Sequence, residues 1–376
     1  MTGRDGSAEV VELGSVPGFV VFDLPGAPLS AGGTRLAPDV SVAEVSVLAR
    51  SMTYKFAALG ERVGGAKAGV RGDPADRAGR AALMARFCAA VRPLTDAGRF
   101  LTGPDMGTAE EDFAPLRERR AAPAAIRAVV AGVPFEDLLT GHGVAVAAET
   151  ALGGGSKGSK GSKGSKGSRG LNGHTVAIEG FGKVGGGVAR EVGRRGGRVA
   201  AVSTVAGCVA DPAGLDVDRL LTLRQAHGDG CVLYYGRPVM SPHQLFTEVN
   251  ADVLVPGTRP GAIDAQTARS LPPAVRVIAP AANAPYTEEG AEVLRERGIV
   301  ALPDFVCNAG AVIGYRSPAD ATPDQVLSAV EARVGELIRA ALGHPAGPLA
   351  GACEQAGGFL RSWWGEPPGP PFAPAK

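Results

Sequence analysis

The chain has 376 residues, a formal net charge of +1, 45% hydrophobic and 20% charged residues, a globular composition with length for two domains of ordinary size. The near-zero charge selects no partner class, and no apolar run reaches membrane-spanning length. Five cysteines, odd in number, scattered and never spaced as CxxC, argue against a disulfide framework and a zinc knuckle, and the five histidines form no metal cluster.

The N-terminal MTGRDGSAEVVELG lacks the apolar core of a signal peptide, so a cytoplasmic location is expected. Residues 8–23 read as two strands of a hairpin turning at Pro17-Gly18, and Ala31-Gly32-Gly33-Thr34-Arg35 follows with a glycine pair where backbone can approach a ligand. Apolar residues at helical spacing run from Val42 to Ala58. Two lysines then stand among small or apolar neighbours: Lys55 near that helix end, and Lys67 in GGAKAG. Such an ammonium loses hydration, which favours the neutral amine and equips it as a base or as a charge for a carboxylate. A bland alternative has Lys55 snorkelling from an amphipathic helix and Lys67 on a turn. A second helix, RAALMARFCAAVRPL, precedes the turn-rich TGPDMGT, whose Asp105 is a turn former or cap unless the two lysines give it more to do.

The segment TGHGV from Thr140 opens a small-residue helix. Residues 153–170, a Gly-Ser-Lys repeat without an apolar side chain, read as a flexible surface insertion within one domain. From His174 the pattern becomes strand, glycine loop, helix, strand. Gly180-Phe181-Gly182-Lys183-Val184-Gly185 matches G-x-G-x-x-G between the strand HTVAIEG and a helix, the dinucleotide fingerprint that seats a pyrophosphate at a helix N-terminus. The end of the next strand carries Ser203 and Thr204 where an acidic residue would bind the adenosine ribose. Without that carboxylate, and with Lys183 in the loop, NADP is expected to be tolerated or preferred. Three more apolar strands, ADVLVPG, VRVIAPAANAP and IVALPDFVCNAGAVIGY, end in small-residue loops. Asn283 and Asn308 stand at two of those ends, where a doubly wound sheet binds its ligand. The helix DQVLSAVEARVGELIRAAL is expected to return to the first domain, and the proline-rich residues 366–376 to be disordered.

GGTR, MTYKFAALG, GGAKAG, PDMGT, TGHGVAVAAE, VAIEGFGKVG, ADPAGLDVD, AANAP and PDFVCNAG stand in this order between Ala31 and Ile313. In them the chain resembles the glutamate/leucine/phenylalanine/valine dehydrogenase family, NAD(P)-dependent L-amino-acid dehydrogenases. The resemblance implies an α/β fold of two domains with the catalytic cleft between them. Residues 1–135 would form the substrate and oligomerisation domain and 136–317 a Rossmann-like, doubly wound dinucleotide-binding domain. Residues 318–365 would then be the helix returning to the first domain.

It further implies Lys67 as the lysine that activates water, Asp105 as its proton-transfer partner and Lys55 as the anchor of the substrate α-carboxylate. Gly32 and Gly33 would line the substrate pocket, and Thr140 would join the cofactor set. A homo-oligomer with no nucleic-acid or membrane partner is expected, acting on an amino acid and its 2-oxo acid.

Substrate choice is where the chain departs from its relatives. Glutamate enzymes of the family carry a lysine where Ala31 stands and a serine where Tyr315 stands, so an apolar or aromatic amino acid is the expected substrate. Two alternatives compete: a glutamate dehydrogenase, and a catalytically weak cofactor-binding relative with a regulatory role. Lys183, Ala284 and Gly257-Thr258-Arg259-Pro260 are further departures from the family pattern.

Overall fold

The computed structural model of the chain describes residues 8–119, 123–130, 133–153 and 170–374; the Gly-Ser-Lys repeat, apart from its ends, lies outside the described residues. The chain divides into two compact units, Met1–Ala121 with Cys353–Pro371, and Ala122–Ala352 with Phe372–Lys376. The boundary therefore falls ahead of residue 135, because Ala125 and Ile126 are buried and Ile126 packs beside Gly314 of the second unit.

The first unit runs β1 (Glu9–Glu12), β2 (Gly18–Phe22), β3 (Ser30–Ala37), α1 (Val42–Ala58), β4 (Gly64–Arg71), α2 (Arg77–Asp96) and β5 (Phe100–Pro104). Its sheet has the order β1-β2-β4-β3-β5, with β1/β2 and β2/β4 antiparallel and β3/β4 and β3/β5 parallel. Both helices expected from the apolar spacing are present, and so is the hairpin, although its turn falls at residues 13–17, Gly18 already belonging to β2. Ser41 caps α1 by accepting from the Glu44 N–H, and Asp76 caps α2 by accepting from the Gly79 N–H. Alternation divides the strands between two faces: Val20, Phe22, Ala66, Ala68 and Val70 join Met84, Phe87 and Val91 of α2, whereas Phe19 and Val21 join Val45 and Ala49 of α1. Gly65 sets the depth of α1, since a Cβ there would lie 1.9 Å from Ala49 O and 2.4 Å from Thr53 N.

The second unit begins with the short pair β6 (Val129–Val130) and β7 (Val133–Pro134), then α3 (Phe135–Gly153), β8 (Thr175–Glu179), α4 (Lys183–Arg194), β9 (Arg198–Thr204), β10 (Gly207–Ala210), α5 (Val217–His227) and α6 (Gln244–Thr247). There follow β11 (Val253–Val255), α7 (Ala265–Ser270), β12 (Val277–Ile278), α8 (Glu288–Glu296), β13 (Val300–Ala301), α9 (Asp304–Cys307), α10 (Gly310–Tyr315) and α11 (Pro323–Leu342), and the last helix, α12 (Pro348–Arg361), belongs to the first unit from Cys353 on. The order β10-β9-β8-β11-β12-β13, parallel except for the β10/β9 edge, is a doubly wound sheet whose strand order reverses at β8.

Helix α3 is the hub of this unit because its glycines admit backbone. A Cβ on Gly141 would lie 2.4 Å from Gly187 C of α4, one on Gly143 2.6 Å from Cys307 O, and one on Gly310 1.9 Å from Leu139 O. Helix α11, entered through a Thr322/Gln325 capping box, packs on α3 within the second unit and does not return to the first. The return is made from Cys353 onward, in α12. Nor is the described part of the tail, 366–374, free: Tyr54 Oη donates to Pro368 O at 2.6 Å, Arg50 Nη1 to Gly369 O at 3.0 Å, and the Ala373 N–H to Tyr286 O at 2.9 Å. Prolines that suppress helix and sheet leave carbonyl acceptors, and these side chains use them. Among the described residues no helix is long and apolar enough to cross a membrane.

One buried charge cluster clamps the second unit. His142 of α3, 1% exposed, lies with Nδ1 2.7 Å from Glu191 Oε2 of α4 and Nε2 3.2 Å from Leu327 O of α11. Arg194 Nη2 donates to Glu191 Oε2 at 2.9 Å. Burial would raise the Glu191 carboxyl, but hydrogen bonds and charge from His142 and Arg194 pull it down to about 2. A folded value below the ordinary one stabilises the fold above the ordinary carboxylate range, and that contribution is lost as pH falls toward the folded value. Glu191→Gln is therefore expected to cost about 2 kcal/mol at pH 7 and to flatten the fall in stability below roughly pH 4.5, read by urea denaturation at both pH values.

Candidate functional site

The first unit gathers the residues expected to do acid–base work. Lys67 sits in the middle of β4, opposite Val21 of β2, and with Gly65 and Gly69 it points to the α1 face. It is 4% exposed, and its Nζ lies 2.8 Å from Oδ2 of Asp105, the residue after β5. The Asp105 N–H donates to Thr108 Oγ1 at 2.9 Å, and that hydroxyl lies 3.0 Å from Thr34 O, so the turn is tied to β3. Burial alone would raise the Asp105 carboxyl. The Lys67 ammonium and the Arg35 guanidinium outweigh it and, with the Met106 N–H, hold the group well below the usual carboxylate range.

Gly33 leaves room for this pair: a Cβ there would lie 3.2 Å from Lys67 Nζ and 2.9 Å from Pro104 O. Gly32 is equally constrained, its Cβ position being 1.6 Å from Ala66 O. Lys55, 4% exposed, occupies the last turn of α1, where a cation suits the carboxyl end of the helix dipole. Ala31 lies on β3 opposite Gly65 and presents only a methyl group. The snorkelling and turn readings of both lysines fail, since neither reaches the surface and Lys67 is in a strand.

The second unit gathers the residues expected to bind a nucleotide. Gly180 adopts φ +85°, and its N–H and that of Phe181 donate to Ser203 O at 3.1 and 2.7 Å, closing a tight turn at the end of β8. Gly182 caps α4 with no side chain, leaving the N–H groups of its first turn open, and a Cβ on Gly185 would lie 2.1 Å from Gly180 O. A bare helix N-terminus behind a loop with no side chain in the way fits a pyrophosphate, so the residues present fit a dinucleotide. Val184 is half-buried and Lys183 exposed, the latter within reach of the Asp137 carboxyl on α3. Ser203 and Thr204 are buried at the end of β9, and Thr204 Oγ1 donates to Asp229 O at 2.7 Å. Asn308 Nδ2 donates to Asn283 Oδ1 at 2.9 Å and to Ala281 O at 3.2 Å, which joins the loops that follow β12 and β13. Thr140 on α3 lies beside the start of α10, and Tyr315 ends that helix.

Three residues were missed from sequence. Arg35, two places after Gly33 on β3, shares the face of the Lys67–Asp105 pair, a period-two relation that the sequence does contain. Arg224, in the last turn of α5, reaches the glycine loop: a Cβ on Gly182 would lie 3.9 Å from its Nη2, while its Nη1 donates to Asp229 Oδ1 at 3.0 Å. Glu179 accepts from the Gly257 and Thr258 N–H groups at 2.9 and 3.2 Å, tying β8 to β11 where the strand order reverses. No local pattern marks the last two.

Comparison with known proteins adds a second line of argument. Residues 132–316 match the Glutamate/Leucine/Phenylalanine/Valine dehydrogenase family model, and residues 26–120 the Glu/Leu/Phe/Val dehydrogenase, dimerisation domain model. A glutamate dehydrogenase of Thermotoga maritima is 32% identical over 286 residues, spanning 75% of this chain and 67% of that protein. Among solved structures, the hetero-hexameric glutamate dehydrogenase from Thermus thermophilus in its Leu-bound form has a TM-score of 0.74 at 24% identity, covering 95% of this chain and 89% of that one. The L-tryptophan dehydrogenase from Nostoc punctiforme has a TM-score of 0.60 at 20% identity, covering 96% and 98%. At these identities the two structures speak for the fold. The sequence matches reach further: with both units matched in order, the chain belongs to the glutamate/leucine/phenylalanine/valine dehydrogenase family and is an amino-acid dehydrogenase.

Proposed function

We propose that the chain oxidises an L-amino acid with an apolar or aromatic side chain, reversibly, to the 2-oxo acid and ammonia, with NAD or NADP as acceptor. The observation that carries this reading is the buried Lys67–Asp105 pair, 2.8 Å apart on the face that α1 covers. The Lys55 ammonium holds the substrate α-carboxylate. NAD or NADP, which the Gly180 to Gly185 loop would hold, would supply the acceptor for the hydride that leaves Cα with its electron pair, and the substrate would become an iminium. Lys67 takes a proton from water as the water oxygen bonds to Cα. Asp105 relays that proton to the nitrogen, the C–N bond breaks with its electrons on nitrogen, and ammonia leaves as Lys67 takes the hydroxyl proton and the carbonyl forms. The retained acid–base set speaks against a catalytically weak relative. The match of residues 26–120 to a dimerisation domain supports an oligomer, which we take to be built from copies of this chain.

The methyl group of Ala31 offers a side-chain carboxylate no partner, and leaving such a charge uncompensated costs several kcal/mol by the usual order-of-magnitude estimate. Glutamate is the second reading, favoured by the 32% identical relative that is a glutamate dehydrogenase. A spectrophotometric screen of L-leucine, L-valine, L-phenylalanine, L-tryptophan and L-glutamate at alkaline pH with each cofactor decides between them. Glutamate as the best substrate would overturn the apolar assignment. With the best substrate, Lys67→Ala and Asp105→Asn are each expected to lower kcat by about 100-fold or more while the circular dichroism spectrum is kept.

Cofactor choice follows from the end of β9, where Ser203 and Thr204 bring no carboxylate against a 2′-phosphate and the Arg224 guanidinium stands near the loop. NADP is the expected preference. Arg224→Ala should raise KM for NADP by about tenfold and leave KM for NAD within about twofold. Equal rises for both cofactors would remove the 2′-phosphate role.

A further inference from the structure

Arg35 is a buried guanidinium that the reaction scheme above does not use. It is 7% exposed and lies on β3 between two carboxylates. Its Nε is 3.5 Å from Asp105 Oδ2, an ion pair longer than a hydrogen bond, and its Nη1 donates to Glu44 Oε1 in the first turn of α1. Asp105 Oδ2 thus faces two cations from adjacent strands, Lys67 at 2.8 Å and Arg35 at 3.5 Å. Glu44 of α1 meets Arg35 on its other side, the Met106 N–H faces Asp105 from the turn, and Gly33 adds no side chain.

This matters when the lysine gives up its charge. A carboxylate paired only with Lys67 would lose its compensation at the moment the amine becomes neutral, and would hold the lysine proton to prevent it. A guanidinium keeps its charge through the whole cycle. We propose that Arg35 is a positioning residue of the acid–base pair: it shares the Asp105 charge, so that Asp105 returns to its ionised form after each proton it relays and keeps its place while Lys67 is neutral. Glu44 tunes the effect, because it draws Arg35 away from Asp105 from the other side. The inference rests on the amino-acid oxidation reading for its consequence in catalysis, but not for its electrostatics.

Two measurements test it. The first is the pH profile of kcat/KM for the best amino acid substrate in the wild type, Arg35→Gln, Arg35→Lys and Glu44→Gln. In Arg35→Gln the acidic limb is expected to move to higher pH by about one unit, with activity at neutral pH falling about tenfold. Arg35→Lys restores much of the shift. Glu44→Gln moves the limb the opposite way, to lower pH, and together with Arg35→Lys it decides the matter should Arg35→Gln not fold. The second is a ¹³C NMR titration of the aspartate carboxyls, with the Asp105 signal assigned from Asp105→Asn. It needs no substrate, and Asp105 should titrate at higher pH in Arg35→Gln than in the wild type. Loss of activity with an unmoved limb and an unmoved Asp105 titration overturns the proposal and leaves Arg35 a structural ion pair. Should no amino acid be oxidised, the reaction reading falls, while the carboxyl titration still decides what Arg35 does.

Discussion

An ammonium group buried in the middle of a strand is the constraint on which the first unit depends. Removing Lys67 from water costs several kcal/mol by the usual order-of-magnitude estimate unless a carboxylate meets it at hydrogen-bond distance, and Asp105 does. Meeting it requires β5 to end where it does, beside β3, and requires the turn after it to be pinned through Thr108 to β3. It also requires space. Gly33 is bare because a methyl group would press on the lysine nitrogen, and Gly65 is bare because α1 must lie close on β4. The glycines of GGTR and GGAKAG therefore serve the lysine twice, once by admitting its partner and once by admitting the helix that carries Lys55.

The second unit solves a different problem with the same residue type. Its glycines bring backbones together: Gly141 against Gly187, Gly143 against Cys307, Gly310 against Leu139. Helix α3 is thereby fixed to the elements that present the glycine loop and the Asn283–Asn308 pair. Charge completes the clamp: the imidazole of His142 pairs with Glu191 of α4 through one nitrogen and reaches Leu327 O of α11 through the other. Bare helix N-terminus and rigid support come from one packing arrangement, which is the preorganisation an anion site needs.

What could be read in the sequence was local. A strand, G-x-G-x-x-G and a helix are contiguous, so Gly180 to Gly185 declared their conformation; Lys55 and Lys67 declared themselves by their neighbours. Arg35 was in view beside Gly33, yet its meaning depends on β3 lying between β4 and β5, a register no local pattern supplies. Arg224 is 42 residues from Gly182 and reaches the loop only because α5 follows β9. Helix α11 shows why periodicity misleads about destination: its apolar stripe announces a buried face, but small residues on α3 determine which partner buries it. The tail failed for a related reason, since composition counts the groups that cannot pack and overlooks carbonyls that can accept.

The exposures of the central pair differ in a way that orders the proposed chemistry. The Lys67 side chain is 5% exposed and that of Asp105 20%, so the aspartate is the member with a part in water, although its paired Oδ2 is buried. A lysine that takes a proton from a reacting water must pass it on before the next turnover, and its short route is the oxygen 2.8 Å away. In the proposed scheme Asp105 is both the counter-ion that makes the buried lysine tolerable and the exit for its proton. A carboxylate given both tasks has to return to its ionised form and keep its place while the lysine is neutral, which a permanent positive charge nearby favours. Arg35, on the strand between the two, supplies it.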